Sequence, residues 1–391
     1  MEEESLVTVY AHINTVPNGS TGGIMMKEHR ELLAAGEESY VFWGRGREAK
    51  KPNEMKFASD VEVKLDVLQT RLDGKAGFHS KNATRRLLAR LDEIQPDVVH
   101  LHNLHGYYVN IEMLFKWLAN HECKVEWTLH DCWAFTGHCA HFTYVKCAQW
   151  MDHCAYSSPC SQLNTYPRTY SKSSCSWNFE QKSQLFNLVP PERMKIITPS
   201  KWLATLVGKS FLKGYPVEVR HNTIDTDVFK PTPSDFRERY GVGDRFMILG
   251  VASPWTARKG LNDFVKLADE LDSEKCAIVL VGLSEKQVEG LPGGVVGLIR
   301  TDSREELAGI YSTADVFFNP TTEDNFPTVN LEAEACGTPV ITYDTGGCAE
   351  TIRNSDSCVV GKYEDARNLF KRYRRLNIVV TADQKGATGL D

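Results

Sequence analysis

The sequence predicts an α/β protein made of two doubly wound parallel-sheet domains. Three observations predict it. Short β-branched runs such as "AIVLVG" and "VFFNP" carry no period-2 alternation, as expected of strands buried on both faces. Helical stretches separate them, as parallel strands require. The pattern occurs twice, on either side of the Pro-bearing stretch "HNTIDTDVFKPTPSDF" at 221–236. At 391 residues, the chain also has the length of two domains rather than one.

In the first half, strands are expected near 6–13, 39–44, 97–103, 125–131 and 194–200. A helix over 22–36 opens on the paired Gly22 and Gly23 and stops at Gly36. Another spans 80–95, with Ser80 as its N-cap and Pro96 just past its end. In the second half, "FMILGVAS", "AIVLVG", "VVGLIRT", "VFFNP" and "PVITYDT" read as strands, with helices near 260–271, 304–313 and 328–336. The expected domains are 1–226 and 227–391. Two such sheets facing one another leave a cleft at the carboxyl ends of their strands, where ligands of doubly wound sheets bind.

Composition narrows the function. The hydrophobic share of 42% and charged share of 25% are those of a soluble globular protein. A net charge of −6 does not recommend a nucleic-acid partner. No apolar run has the length of a membrane span; "CAIVLVGL" at 276–283 reads as a buried strand. The start "MEEESLVTVY" has neither the basic opening nor the apolar core of a signal peptide. The expectation is a cytoplasmic protein. The 80–95 helix carries Lys81, Arg85, Arg86 and Arg90 around Leu87, Leu88 and Leu91. That pattern fits either a face lying on anionic lipid or an ordinary helix with its apolar side inward. The chain has no GxGxxG or Walker signature, which weighs against oxidoreductases and ATPases.

Eleven cysteines are many for a reducing compartment. Cys132, Cys139, Cys147, Cys154 and Cys160 crowd an insertion at 132–165, with His138, His141 and His153 among them. A structural zinc on Cys139, Cys147, Cys154 and Cys160 is the preferred reading, ahead of free thiols and redox pairing.

The chemistry is concentrated in "TTEDNFPTVNLEAEACGTPV" at 321–340. Pro327 suits the first position of a helix, Asn325 lies close to its N-cap, and Gly337 ends it. A helix N-terminus suits a phosphate. Glu332 shares an inward face with Val329 and Cys336, so its carboxylate needs hydrogen-bond donors. The two hydroxyls of a ribose would supply them; the bland alternative is a solvated face.

This run resembles the E-x7-E motif of the retaining GT-B glycosyltransferases of group 1, many of which build bacterial surface polysaccharides. The resemblance implies a GT-B fold, in which two Rossmann-like domains face a cleft. The first carboxylate would contact the donor sugar and the second the nucleotide ribose. The eight-residue step to Glu332 starts at Asp324, so Asp replaces the usual Glu, with Glu323 beside it. Asn325, Phe326 and Pro327 would line the donor. "SPWTARKGLNDFV" at 253–265 resembles the family's phosphate loop. Arg258 and Lys259 would neutralise the departing diphosphate, although the family's usual Arg position is Pro254 here. In "INTVPNGSTGGIMMKEH", Gly22 and Gly23 would let backbone N–H groups approach the donor. In "WTLHDCWAFTGHC", His130 would contact the donor sugar. The same run, with "GFHSKNATRRLL" and "HLHNLHGYY", resembles capsular and exopolysaccharide enzymes. His100, His102 and His105 fit a metal centre as a pattern, but the resemblance favours sugar contacts or strand packing.

The implied function is a retaining hexosyltransferase that needs no cofactor for catalysis. It would move a sugar from a nucleotide-diphosphate donor to a saccharide, carried on a polyprenyl lipid at the inner face of the membrane. The first domain would hold the acceptor and the second the donor. Two alternatives stay open: a nucleotide-sugar epimerase of the same architecture, and a non-catalytic sugar-nucleotide binder. Family members continue into a long C-terminal helix, whereas here "NLFKRYRRL" runs into "NIVVTADQKGATGLD". The second domain is therefore expected to be short at its end.

Overall fold

A computed structural model describes residues 7–371; the start of the chain and the tail at 372–391, which carries the expected short C-terminus, lie outside the described residues. The chain divides into two units that meet between His221 and Asn222, against the expected 226/227. The difference has a packing cause. Ile224, Val228 and Phe229 belong to the second unit's apolar core.

The first unit contains seven strands: β1 (Val9–Asn14), β2 (Glu38–Trp43), β3 (Glu54–Lys56), β4 (Val98–Leu101), β5 (Lys124–Thr128), β6 (Met194–Thr198) and β7 (Val217–Val219). Its helices are α1 (Gly19–Ala34), α2 (Asp60–Asp73), α3 (Lys81–Ile94), α4 (Ile111–Ala119), α5 (Ser174–Leu185) and α6 (Lys201–Val207). The strands pair in parallel in the order β3-β2-β1-β4-β5-β6-β7. The order therefore reverses between β1 and β4. Every residue of β4 is buried, as its unalternating sequence requires.

The second unit contains α7 (Phe236–Arg239), β8 (Phe246–Val251), α8 (Leu261–Glu270), β9 (Cys276–Val281), α9 (Glu285–Glu289), β10 (Val295–Leu298), α10 (Arg304–Thr313), β11 (Val316–Asn319), α11 (Thr328–Ala335), β12 (Val340–Tyr343) and β13 (Cys358–Val360). Residues 363–371 are also helical. Its sheet, again all parallel, runs β10-β9-β8-β11-β12-β13 and reverses between β8 and β11. β9 is buried along its whole length.

The strands missed in the sequence, β3, β7 and β13, are three residues long and lie at sheet edges. Three residues are too few to show a period. α1 starts at Gly19 rather than at Gly22, so Gly22 and Gly23 sit inside the helix. The reason is local: a Cβ on Gly22 would come within 2.6 Å of the Pro17 carbonyl carbon, so the glycine lets α1 press against the loop leaving β1. Ser80 does occupy the N-cap of α3, but in the left-handed region, and its hydroxyl donates to Asp66 Oδ2 at 2.5 Å instead of capping.

Leu87 and Leu91 of α3 are fully buried. Arg86 turns back to donate to the Phe57 carbonyl, at 3.0 Å from Nε and 2.8 Å from Nη2. The apolar side of α3 is thus the core side. An exposed apolar stripe lies instead on α2, at Val61, Leu65, Leu68 and Leu72, spaced as one helix face.

Candidate functional site

The second sheet reverses its order between β8 and β11, and ligands of doubly wound sheets bind where the strands on either side of such a reversal end. The loop after β8 carries Arg258 and Lys259; the loop after β11 carries the carboxylates. Gly260 brings the two loops together. It stands at φ +79°, and a Cβ there would lie 2.3 Å from the Pro320 carbonyl oxygen. The Arg258 carbonyl accepts the Thr322 backbone N–H at 2.8 Å and the Thr321 hydroxyl at 3.3 Å. The Arg258 guanidinium donates to the Glu323 carbonyl, and Lys259 Nζ pairs with the Asp324 carboxylate. Asp324 also accepts the Asn325 N–H at 2.9 Å.

A third loop, after β12, supports the turn from behind. Gly347 N–H donates to the Asp324 carbonyl at 2.9 Å, and Thr345 Oγ1 to the Thr321 carbonyl at 2.6 Å. A Cβ on Gly346 would meet the Asp324 carbonyl oxygen at 1.9 Å. Sequence reasoning missed this loop; the paired glycines in "DTGGC" right after a strand were the available signal.

Within the turn, Glu323 is fully buried, and Asn325 and Phe326 nearly so. Asp324 and Lys259 keep part of their side chains exposed, 18% and 23%. Pro327 is the N-cap residue of α11, one position earlier than expected, and no side chain caps that end. An N-terminus without a side-chain cap carries a partial positive charge. Glu332 lies on α11, where Tyr311, itself fully buried, donates its hydroxyl to Oε2 at 3.2 Å. Burial raises the pKa of Glu332, and the Tyr311 bond and the charge of Arg304 only partly offset that.

His130, Gly22 and Gly23 belong to the first unit. Burial pulls the pKa of His130 down to about 4, so its imidazole is neutral near pH 7. Its Nε2 lies 3.2 Å from His102 Nδ1. The next residue, Asp131, pairs with His105 at 2.7 Å. Burial would raise the Asp131 carboxyl, but His105 outweighs it and holds it well below the usual carboxylate range. Gly22 is packed under Pro17, whereas Gly23 has nothing near it.

Cys139, Cys147, Cys154 and Cys160 line one small cavity, and Cys175 of α5 joins them. Among the described residues these sulfurs do not form a group at metal-ligand spacing; His12, Glu28, His100 and His102 do. Beside the thiols lies Lys182, 1% exposed, which donates to the Trp133 and Thr136 carbonyls at 2.8 and 3.1 Å. Burial pulls its pKa down to about 7, against the opposing pull of Cys154, Cys139, Asp131 and Cys175.

The profile of the family "Glycosyl transferases group 1" matches residues 245–377, which span the cation loop, the carboxylate turn and α11. A relative assigned to colanic acid biosynthesis, the glycosyl transferase WcaC of Escherichia coli K12, is 25% identical over 366 residues, 88% of this chain and 85% of its own. The N,N'-diacetylbacillosaminyl-diphospho-undecaprenol alpha-1,3-N-acetylgalactosaminyltransferase of Campylobacter jejuni is 29% identical over 139 residues, 32% of this chain and 36% of its own. Among solved structures, Anabaena HepE in complex with UDP-glucose superposes with a TM-score of 0.60 at 15% identity, covering 97% of this chain and 91% of that one. With its two parallel sheets and these matches, the chain is a glycosyltransferase with the GT-B fold, and its residues 245–377 carry the group 1 family match.

Proposed function

We propose that this glycosyltransferase takes a sugar from a nucleoside-diphosphate donor and passes it, with retention at the anomeric carbon, to a lipid-linked saccharide in surface polysaccharide synthesis. The observation that carries the reading is the pairing of two cations with an uncapped helix end. Arg258 and Lys259 are held by the Gly260–Pro320 approach on loops that end in α11. In this reading the diphosphate takes over Lys259 from Asp324, which frees Asp324 to accept from the donor sugar. Glu332 accepts the ribose hydroxyls, and Asn325, Phe326 and Pro327 shape the turn around the donor. In the first unit, His130 offers a neutral imidazole able to hydrogen-bond a sugar hydroxyl, whereas Gly22 and Gly23 lie inside α1 and not at its open end. The leaving diphosphate oxygen takes the acceptor proton, so no further base is needed. The similar proteins support the substrate classes: one relative is assigned by name to colanic acid biosynthesis, another is named for a diphospho-undecaprenol acceptor, and a protein of like fold is seen in complex with UDP-glucose.

Incubation with a pool of labelled nucleotide sugars tests this reading. A glycolipid or free saccharide product supports it, an isomerised donor points to an epimerase, and binding without turnover points to a silent binder.

Glu332→Gln separates stability from binding. Because the folded pKa of Glu332 is raised, the fold favours its neutral form. The stability this gives is present in acid and lost as pH rises from the usual carboxylate range through the raised value. At pH 7 the neutral Gln should therefore raise the melting temperature of the donor-free protein. It should also weaken nucleotide affinity by about 1–3 kcal/mol, since one carboxylate oxygen becomes an amide donor and the charged acceptor is lost. Calorimetry giving wild-type affinity would remove Glu332 from the ribose site.

Lys259→Ala should slow the chemical step by roughly 100-fold or more, the usual loss of one electrostatic donor at a leaving group. Single-turnover rates near wild type would make Lys259 a plain surface cation.

A structural zinc on Cys139, Cys147, Cys154 and Cys160, with Cys175 as a further candidate, is part of the same proposal. What supports it is their shared cavity and the buried Lys182, a cation that thiolates would neutralise. Cys147→Ser and Cys154→Ser should each lose one zinc per chain, and Cys276→Ser none. Elemental analysis finding unchanged metal in both cluster variants would leave the cysteines as packing thiols.

Contact with a membrane surface fits α2 better than α3 through its exposed apolar stripe and not through charge, since α2 sets Asp60, Glu62, Asp66 and Asp73 against Lys64 and Arg71. The stripe is that of Val61, Leu65, Leu68 and Leu72. Leu65→Gln with Leu68→Gln should abolish flotation with anionic liposomes and change stability by no more than about 0.5 kcal/mol. Leu87→Ala on α3 should instead cost about 2–5 kcal/mol. Flotation that the α2 variant leaves intact would reject this surface.

A further inference from the structure

We propose that His12, Glu28, His100 and His102 form a four-ligand site for a divalent transition metal of the zinc type, built into the strand reversal of the first sheet. The argument starts from register. His12 of β1 lies directly beside His100 of β4. His102 follows two residues later, and positions two apart share a face of the sheet. α1 crosses that face and delivers Glu28.

The four side chains converge on one point. Glu28 Oε2 lies 3.9 Å from His12 Nδ1, 3.1 Å from His100 Nδ1 and 3.8 Å from His102 Nε2. One ligand atom from each residue lies within 4.8 Å of all the others. Ligands around a tetrahedral zinc at about 2.0–2.1 Å sit roughly 3.3 Å apart, so modest tightening would complete the geometry.

A second observation points to a ligand. The three histidines are 1%, 4% and 1% exposed. Among the described residues, neither ring nitrogen of His12 has a hydrogen-bond partner, nor does His102 Nε2. Buried polar atoms left without a partner lose their hydration and gain nothing in return. A cation that accepts lone pairs from all three imidazoles removes that cost at His12 Nδ1 and His102 Nε2 together, and Glu28 offsets part of its charge.

The outer partners of such a site are also present. His100 turns Nε2 to the Thr128 hydroxyl at 2.8 Å, and His102 turns Nδ1 to His130 Nε2 at 3.2 Å. Metal-bound histidines use their second nitrogen in this way, which fixes the tautomer. A metal on His102 Nε2 places the proton on Nδ1. His102 then donates to His130, whose own proton sits on Nδ1. The metal would thus pin β1, β4 and α1 together and set the tautomer of His130, with no open coordination position and no part in catalysis. Three imidazoles and one carboxylate suit zinc, cobalt, nickel or copper rather than magnesium or calcium.

The test uses the full chain, stripped of metal and titrated with cobalt(II) and zinc(II), in the Cys147→Ser/Cys154→Ser background so that thiolates do not contribute. The expected result is one equivalent bound, with the visible spectrum of tetrahedral cobalt and no sulfur charge-transfer band. Glu28→Gln and His12→Gln should each weaken binding at least tenfold; Glu28 keeps 24% of its side chain exposed and Gln is nearly isosteric with it, so its variant folds even if His12→Gln does not. Separate detection of the His130 ring proton by NMR should show one tautomer with metal and a mixture without. No binding in the Cys147→Ser/Cys154→Ser background, or equal affinity in Glu28→Gln, would overturn the site.

Discussion

The candidate donor site depends on one close approach, that of Gly260 to the Pro320 carbonyl. Any side chain at 260 would put its Cβ 2.3 Å from that oxygen, and its φ of +79° is a second reason for glycine. With the two loops at that distance, the Arg258 carbonyl can bind Thr321 and Thr322, and the cations of the first loop reach the carboxylate turn of the second. Open the gap by one residue's bulk, and the cations and carboxylates become two unrelated surface patches. The contact is backbone against backbone, which explains why it holds side chains in place more firmly than a surface ion pair would.

The Lys259–Asp324 pair gives this arrangement a built-in exchange. Without ligand, each charge neutralises the other while remaining partly solvated. In the proposed reading, a diphosphate would offer Lys259 a stronger partner, and the freed Asp324 would accept from the bound sugar. Glu332 differs because its cost is already present before binding. Its carboxylate is desolvated and has Tyr311 as its hydrogen-bond donor, so ligand hydroxyls add donors that the fold itself does not supply. If Glu332 takes the ribose as proposed, binding energy would be drawn from a group that the empty domain holds at a disadvantage.

How much of this was legible depended on the range of the signal. Long buried strands such as β8 and β9 announce themselves by composition, and the helix around Glu332 by its Pro and Gly boundaries. The turn from Thr321 to Pro327 was readable because its residues are consecutive. Three-residue edge strands carried no pattern, and the start of α1 was misplaced because Gly22 serves a packing contact with Pro17 rather than marking the helix end. The loop of Thr345, Gly346 and Gly347 behind Asp324 was out of reach for another reason: its partner lies more than twenty residues away, and only the sheet order brings them together.

The histidines make the same point in the first unit. His100 and His102 stand out in "HLHNLHGYY", but the sequence alone pairs them with His105, which the fold sends to Asp131 and Tyr166 instead. Their actual neighbours are His12 and Glu28, which are 88 and 72 residues from His100 in the chain. Parallel pairing of β1 with β4 supplies the first, and the crossover helix after β1 supplies the second. Both units thus concentrate their chemistry where the strand order turns. At that point adjacent strands send their connections to opposite faces of the sheet, and in the first unit α1 brings Glu28 onto the buried histidines.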